Sequence, residues 1–512
     1  MRNYLFLLFL TVLSVFSINA MEVANVGLVS NPKFPSTGEH GALVVLVEFQ
    51  NRKFSVRWPQ EYYSRMLNSD SFNDYGNSTS VRKYYEENSN GLFKPQFDIV
   101  GPVTLPNDYA YYGENVIRHN DIVGDYIDDI HPELMIVDAC NLLSSAGFDF
   151  SPYDCNDDGE IDNIFLYYAG FGEADSGITS TVWPHSGNLL EKGFADSPLY
   201  FNDLILNHYA CSNELKAETG QPDGIGTFIH EFTHVMGFPD LYPMSTNSVI
   251  TPDNWDVMDI GCYLSQGKTP PNFSAFELYA LGWLNPEEIS EYGEYELPCL
   301  HSSDRKAYII YSKDNRNEFF ILENRQQRGN DINIPGHGML IWHIDFNQEI
   351  WDANLVNSDS GHPCVSIVEA DNLTGHYEIL EEKGKLPQLV YNYENEGDAF
   401  PGTTNNTSFT PYTAPAFLDY NKNSTGFGLI NIKESEDGLI TFFVTDGENN
   451  RVGDIQNDVA SLIINGNEVF LRNGESEVYD IAGRLVCKLS TIPVVLPKGV
   501  YFLSSGKKFM LK

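Results

Sequence analysis

One stretch constrains this chain more than any other: Thr227-Phe-Ile-His-Glu-Phe-Thr-His-Val-Met-Gly237. Read as a helix, it sets His230 and His234 four residues apart on one face, where two imidazoles can reach one metal ion. Glu231 is offset to address a metal-bound water. Phe228, Phe232 and Val235 fall on another stripe and would anchor the helix in a core. Gly237 can end it in a left-handed conformation. The chain can then turn sharply, so that Asp240, in Phe238-Pro-Asp-Leu-Tyr242, becomes a third ligand and a fourth position stays open for water. Glu277, in Ser274-Ala-Phe-Glu-Leu-Tyr279, is a competing third ligand, but the Gly237-x-x-Asp240 spacing has a geometric reason and favours Asp240. An ordinary buried helix can carry HExxH by chance. The accompanying Gly and Asp, the amino terminus and the nearby Trp255-Asp-Val-Met-Asp-Ile-Gly261 favour zinc.

The amino terminus bears on location. Met1 and Arg2 precede an apolar run, Tyr4 to Phe16, and Ser17-Ile18-Asn19-Ala20 supplies small residues for a signal peptidase, so residues 1–20 read as a removed signal peptide. The run is short for a membrane span of about 20 residues. A secreted or cell-surface protein is expected. Thirty-one Lys and Arg against 71 Asp and Glu leave a formal charge of −40, which repels phosphate backbones and excludes nucleic acid as a partner. Such acidity favours solubility outside the cell and also suits hard cations. Seven cysteines, an odd number without a CxxC pair, form no metal site and leave the disulfide pairing open.

At 512 residues the chain exceeds one core, and its composition is globular. Gly41 to Phe49 reads as a buried strand, and helices are expected over Ser80 to Asn90, Pro132 to Ala146 and Thr227 to Met236. From Ala307 the pattern changes to strands: Ala307 to Tyr311, Glu318 to Leu322 and Gly338 to Ile344. Polar linker chemistry follows around Asp446 to Asp458. The expected order is a signal peptide (1–20), a catalytic domain (21–290), a β-rich second lobe (291–447), and a linker with a small β module (448–512). The fold class is α+β.

A second constellation is Asp154-Cys-Asn-Asp-Asp-Gly-Glu-Ile-Asp162. Oxygen side chains at the first, third and fifth positions, Gly at the sixth and an acid at the ninth suit a tight calcium loop. Asp154, Asn156, Asp158 and Asp162 are the candidate side-chain ligands, with the Glu160 carbonyl between them. Phe165 stands where an EF-hand has its last Glu, and a strand follows at once, so a complete EF-hand is not expected. An Asx-rich turn without a metal is the plainer alternative. His343 and Asp345 lack a nucleophile motif and read as strand residues, not as parts of a triad.

These motifs resemble the immune inhibitor A family of secreted metallopeptidases, of the metzincin type. HEFTHVMGFPDLY fits the family's extended zinc motif with Asp as third ligand, and WDVMDIG resembles its Met-turn, which implies that Met258 lies beneath the metal. The SVRKYYEENSNG block, Trp183-Pro-His-Ser-Gly187, Leu281-Gly-Trp-Leu284, Glu323-Asn-Arg-Gln326 and Gly338 to Asp345 extend the likeness across residues 40 to 445. The resemblance implies a metzincin-like zinc peptidase domain followed by a mainly β lobe. Ile260 occupies the place where some metzincins carry a Tyr, so no oxyanion donor is assigned, and neither Tyr242 nor Tyr263 is given that role. Val478-Tyr-Asp-Ile-Ala-Gly-Arg484, Leu496 to Tyr501 and Lys507 to Lys512 resemble sorting domains of the bacterial type IX secretion system, which implies secretion machinery as a partner and export across an outer membrane. The expected function is a secreted zinc endopeptidase acting on extracellular proteins or peptides through a zinc-activated water, with Glu231 as general base. The alternative is an extracellular adhesin on an inactive peptidase fold.

Overall fold

The computed structural model describes residues 28–29, 32–120, 124–190, 197–244, 251–380, 388–392 and 395–447, and in the C-terminal module residues 462–465, 468–471, 476–480, 484–490, 494–503 and 508–511. The signal peptide (1–20), most of the linker and parts of the sorting motifs lie outside the described residues.

Strand β1 (Gly38–Glu48) begins at Gly38 rather than Gly41, and its run from Ala42 to Val47 is wholly buried. The burial is two-sided, as the unbroken apolar pattern requires. Ala42, Val44 and Leu46 point into one core, while Leu43, Val45 and Val47 point into another. Helices α1 (Pro59–Asn68) and α2 (Val81–Asn88) cover the first face. Ser80 caps α2 by accepting a hydrogen bond from the Lys83 amide, and Gly91, at φ 78°, turns the chain into β2 (Phe93–Thr104). Helix α3 (Pro132–Ser145) covers the other face with Met135, Ile136, Ala139, Cys140 and Leu143.

Strands β3 (Ile164–Phe171), β4 (His185–Asn188) and β5 (His208–Leu215) complete a five-stranded sheet in the order β2-β1-β3-β5-β4. Every pair is parallel except the last, where β4 lies antiparallel to β5 at the sheet edge. Helix α4 (Ile225–Val235) packs on the first face, and α5 (Ala275–Ala280) follows, closed by a capping box between Ser274 and Glu277.

Residues 287–446 are β-rich. Strands β6 (Glu287–Glu288), β7 (Gly293–Leu297), β8 (Tyr308–Tyr311), β9 (Glu318–Arg325) and β10 (Gly338–Asp345) precede the short helix α6 (Gln348–Asp352) and β11 (Val365–Ile367). One sheet runs β6-β8-β9-β10-β11, and another runs β7-β13-β12, with β13 (Ile440–Asp446) between β7 and β12 (Phe427–Glu434). Alternation divides the first of these sheets between two cores. Tyr308, Ile310, Phe320, Leu322 and Ile341 meet the β7-β13-β12 sheet, whereas Ile309, Phe319, Ile321, Leu340 and Trp342 join the core of α1, α2 and α4. The expected boundary at 290 therefore runs through a shared core. Arg325 reinforces it: fully buried, it pairs with Asp331 at 2.7 Å and donates to the carbonyls of Trp255 and Asn272.

Among the described residues the C-terminal module has seven short strands in two sheets around Val469, Val478, Leu489, Leu496, Tyr501 and Leu511. Among the described residues no two cysteines are joined in a disulfide. Among the described residues, no helix is long and apolar enough to cross a membrane.

Candidate active site

Helix α4 holds the motif rigidly. It starts at Ile225, two residues before the expected Thr227, because the chain there lies directly against the 262–268 loop: a Cβ on Gly226 would stand 1.9 Å from the Cys262 carbonyl oxygen. Phe228, Ile229 and Phe232 are fully buried, with the Phe228 ring 4.0 Å from that of Phe165 on β3. Tyr85 on α2 donates to the Ile229 carbonyl at 3.1 Å. Gly237, at φ 95°, then reverses the chain as its position after the last helical turn suggests.

That reversal brings Asp240 back to the histidines. The Asp240 Oδ1 atom lies 3.1 Å from His230 Nε2 and 3.2 Å from His234 Nε2. His230 Nδ1–H donates to the Val257 carbonyl at 2.9 Å and His234 Nδ1–H to that of Phe238 at 2.7 Å. A carbonyl only accepts, so each Nδ1 carries a proton and Nε2 is the atom each ring turns toward Asp240, a metal ligand once its own proton is displaced. Ligand bonds of about 2.0–2.2 Å give a tetrahedral zinc site edges of about 3.3–3.6 Å, a few tenths of an ångström beyond these separations. Oδ1 itself is buried, with the two imidazoles as its pairing groups, the arrangement a shared metal would require. These three residues are, among the described ones, the group of His, Cys, Asp and Glu whose ligand atoms come within 4.8 Å of one another. The donor set fits zinc. Although burial opposes ionisation, the His234 and His230 imidazoles hold the Asp240 carboxyl well below its usual range, and both imidazoles are raised in turn.

Glu231 is 6% exposed and faces a cleft of about 1000 Å³ together with the triad. Burial raises its carboxyl, opposed by the two histidines. Edge strand β4, with His185 to Asn188, lines the same cleft, as do Tyr242 and Tyr263. The Tyr242 ring is stacked on His230 at 6.3 Å, whereas Tyr263 is 42% exposed. Met258 is fully buried, and its carbonyl accepts from the Leu241 amide at 2.9 Å, tying the 255–261 turn to the segment that carries Asp240.

Other candidates settle elsewhere. Glu277 Oε2 accepts from the Ser274 amide at 2.7 Å and its hydroxyl at 3.0 Å; burial and the neighbouring Asp256 push its carboxyl up, so it stands outside the triad. His343 pairs with Glu318 at 2.8 Å and Asp345 with His362 at 2.7 Å. The 154–162 loop closes on itself: Asp154 accepts from the Asp158 and Gly159 amides, Asn156 from Asp158, Asp158 from Glu160, and Asp162 Oδ2 from Cys155. Its acids do not converge on one point as the triad does. Asp162 Oδ1 is nevertheless buried and unpartnered. The sequence gives no sign of Asn354, which lies in the second lobe yet donates to Asp240 Oδ2 at 2.7 Å.

A helix with two metal-facing histidines and a buried acid, beside a strand-edged cleft, has the parts of a metallopeptidase domain. Residues 38–285 match the family model described as immune inhibitor A peptidase M6, catalytic domain. The chain is 26% identical over 272 residues to immune inhibitor A of Bacillus thuringiensis subsp. alesti, an alignment covering 45% of this chain and 38% of that protein. It is 25% identical over 297 residues to the pre-pro-metalloprotease PrtV of Vibrio cholerae serotype O1 (strain M66-2), covering 51% of this chain and 30% of the relative. The alignments thus span well under half the length of these curated relatives.

Proposed function

We propose that this chain is a secreted zinc-dependent endopeptidase acting on extracellular proteins or peptides. The observation that carries the reading is Asp240 Oδ1, buried and 3.1 and 3.2 Å from two Nε2 atoms whose rings are oriented by backbone carbonyls. His230, His234 and Asp240 would hold the zinc. When bound, zinc supplies Lewis-acid polarisation of a carbonyl and acidifies water. Glu231, one residue along the helix from His230, takes a proton from the attacking water and delivers it to the departing amine, as base and then acid. Among the described residues β4 lies at the edge of the sheet and borders the cleft, where an extended peptide can run alongside it, which accounts for a protein substrate without fixing its side chains. With Glu231 and all three ligands in place, nothing favours an inactive adhesin.

Calcium in the 154–162 loop is proposed as a structural ion, supported by the ligand spacing and the orphaned Asp162 Oδ1. The C-terminal module is proposed to serve export, on the strength of its terminal motifs.

Glu231→Ala should keep stoichiometric zinc and the fold but lose hydrolysis of a casein-type substrate by at least about a hundredfold. His234→Ala should lose the metal. Zinc content, circular dichroism and hydrolysis measured on the same preparations decide it: a zinc-replete Glu231→Ala enzyme cleaving like wild type rules out this mechanism.

A further inference from the structure

We infer that Asn354 is a positioning residue for the metal site, so that the second lobe completes the ligand set of the peptidase domain. The inference builds on the reading of His230, His234 and Asp240 as zinc ligands.

Asp240 follows the end of α4 in irregular chain, where no helix or strand ladder fixes its backbone. Asn354 does so with one carboxamide. Its Oδ1 accepts from the Asp240 amide at 2.8 Å, and its Nδ2 donates to Asp240 Oδ2 at 2.7 Å. Because the carboxamide is planar, the two bonds set the main chain and the carboxylate plane of Asp240 together. They also occupy Oδ2, so that Oδ1 alone is left facing the histidines. Without the amide, the buried Oδ2 would lose its partner or swing toward the metal, and either outcome loosens the site.

The surrounding structure places Asn354 for this contact. Asn347 caps α6 by accepting from the Glu349 and Ile350 amides, and Trp351, 2% exposed, pins the helix in the core shared by the two lobes. The chain leaves α6 with Asn354 at φ 55°, a left-handed conformation that asparagine adopts more readily than most residues. Three residues on, Asn357 donates to the Leu241 carbonyl at 2.7 Å, while Leu241 donates its own amide to Met258. The ligand-bearing segment is therefore gripped from one side by the 255–261 turn and from the other by the 354–357 loop. Asn354 lies beyond residues 38–285, the part that matches the peptidase family model.

The test uses the full chain and two variants. Asn354→Gly keeps the left-handed backbone and removes the amide; Asn354→Asp keeps the size and replaces the Nδ2 donor with an acceptor facing Asp240 Oδ2. Zinc affinity is read by competition with a chromogenic chelator, and thermal unfolding is read on the metal-free protein. Both variants should bind zinc about 10- to 100-fold more weakly than wild type. The metal-free melting temperature of Asn354→Gly should stay close to that of wild type. At saturating zinc, kcat should fall with little change in KM. Wild-type zinc affinity in both variants overturns the inference, as does a lowered melting temperature with affinity unchanged, which would make Asn354 a tether between lobes and nothing more. A wild-type protein that binds no zinc, judged against His234→Ala, would instead remove the zinc reading itself and the inference with it.

Discussion

Asp398 shows what burial does to a carboxyl that has acids for neighbours. Burial, then Glu369 and Asp371, push it up to about 8. Asp253 is raised to about 9 by burial and by Asp259, Asp398 and Glu369; Asp259 and Glu369 each rise to about 7. An unfolded Asp titrates near about 3.9, so from there up to the folded value the native state holds a proton that the unfolded chain has released, and stability falls as pH rises. Asp398→Asn keeps an oxygen to accept the Trp255 indole N–H, now 2.9 Å from Oδ2, but cannot ionise. Its melting temperature should therefore drop less than that of wild type between about pH 5 and pH 9, the difference amounting to at most about 1.4 kcal/mol per pH unit for one proton. Identical pH dependence in the two proteins would show that Asp398 does not hold this proton. Residues of this kind are not legible in the sequence. His230, Glu231, His234 and Asp240 are, because their relation is fixed within one helix and one turn; Asp398 meets Asp253, and Asn354 meets Asp240, only after the two lobes close on each other.

Elements are legible where one local signal sets both ends. Helix α2 is such a case, with Ser80 as cap and Gly91 as stop. Helix α4 starts early because tertiary packing of Gly224 and Gly226 against the 262–268 loop sets its beginning, and no propensity records that contact. The 154–162 loop lies between these cases. Its turn chemistry is local, with Asp157 at φ 59° and Gly159 at φ 85°, and the amides of Cys155, Asp158, Gly159 and Glu160 are already taken by the loop's own side chains. Such bonding suits an Asx-rich turn as well as a metal loop; the buried, unpartnered Asp162 Oδ1 is the observation on which calcium is proposed, and binding decides between them. Calcium at about a hundred times its dissociation constant would add about 2.7 kcal/mol, enough to raise the melting temperature by several degrees. Wild type should show that shift and Asp158→Ala should lose it. Equal shifts in both would leave the loop as a turn.

At the scale of the molecule, what matters is which segments share a core. The strand pattern after Ala307 is readable, but alternation looks the same whether a face packs within its own lobe or against a neighbour. The expected division at 290 could not register that Ile309, Phe319, Ile321 and Trp342 bury themselves against the peptidase helices. The C-terminal module differs: its core of Val469, Val478, Leu489, Leu496, Tyr501 and Leu511 is its own. Removing Val459 to Lys512 should accordingly leave hydrolysis in lysate within about twofold of the full chain, since among the described residues the module's apolar side chains pack on one another. Truncation after residue 290 should instead abolish it, because it strips both the shared core and Asn354. If the module serves export, the shorter deletion should also trap the protein inside its native host. Measuring activity in cell lysate and culture medium separates the two roles: normal export of the chain lacking Val459 to Lys512 would end the sorting proposal, whereas loss of lysate activity would mean that the module helps hold the peptidase fold together.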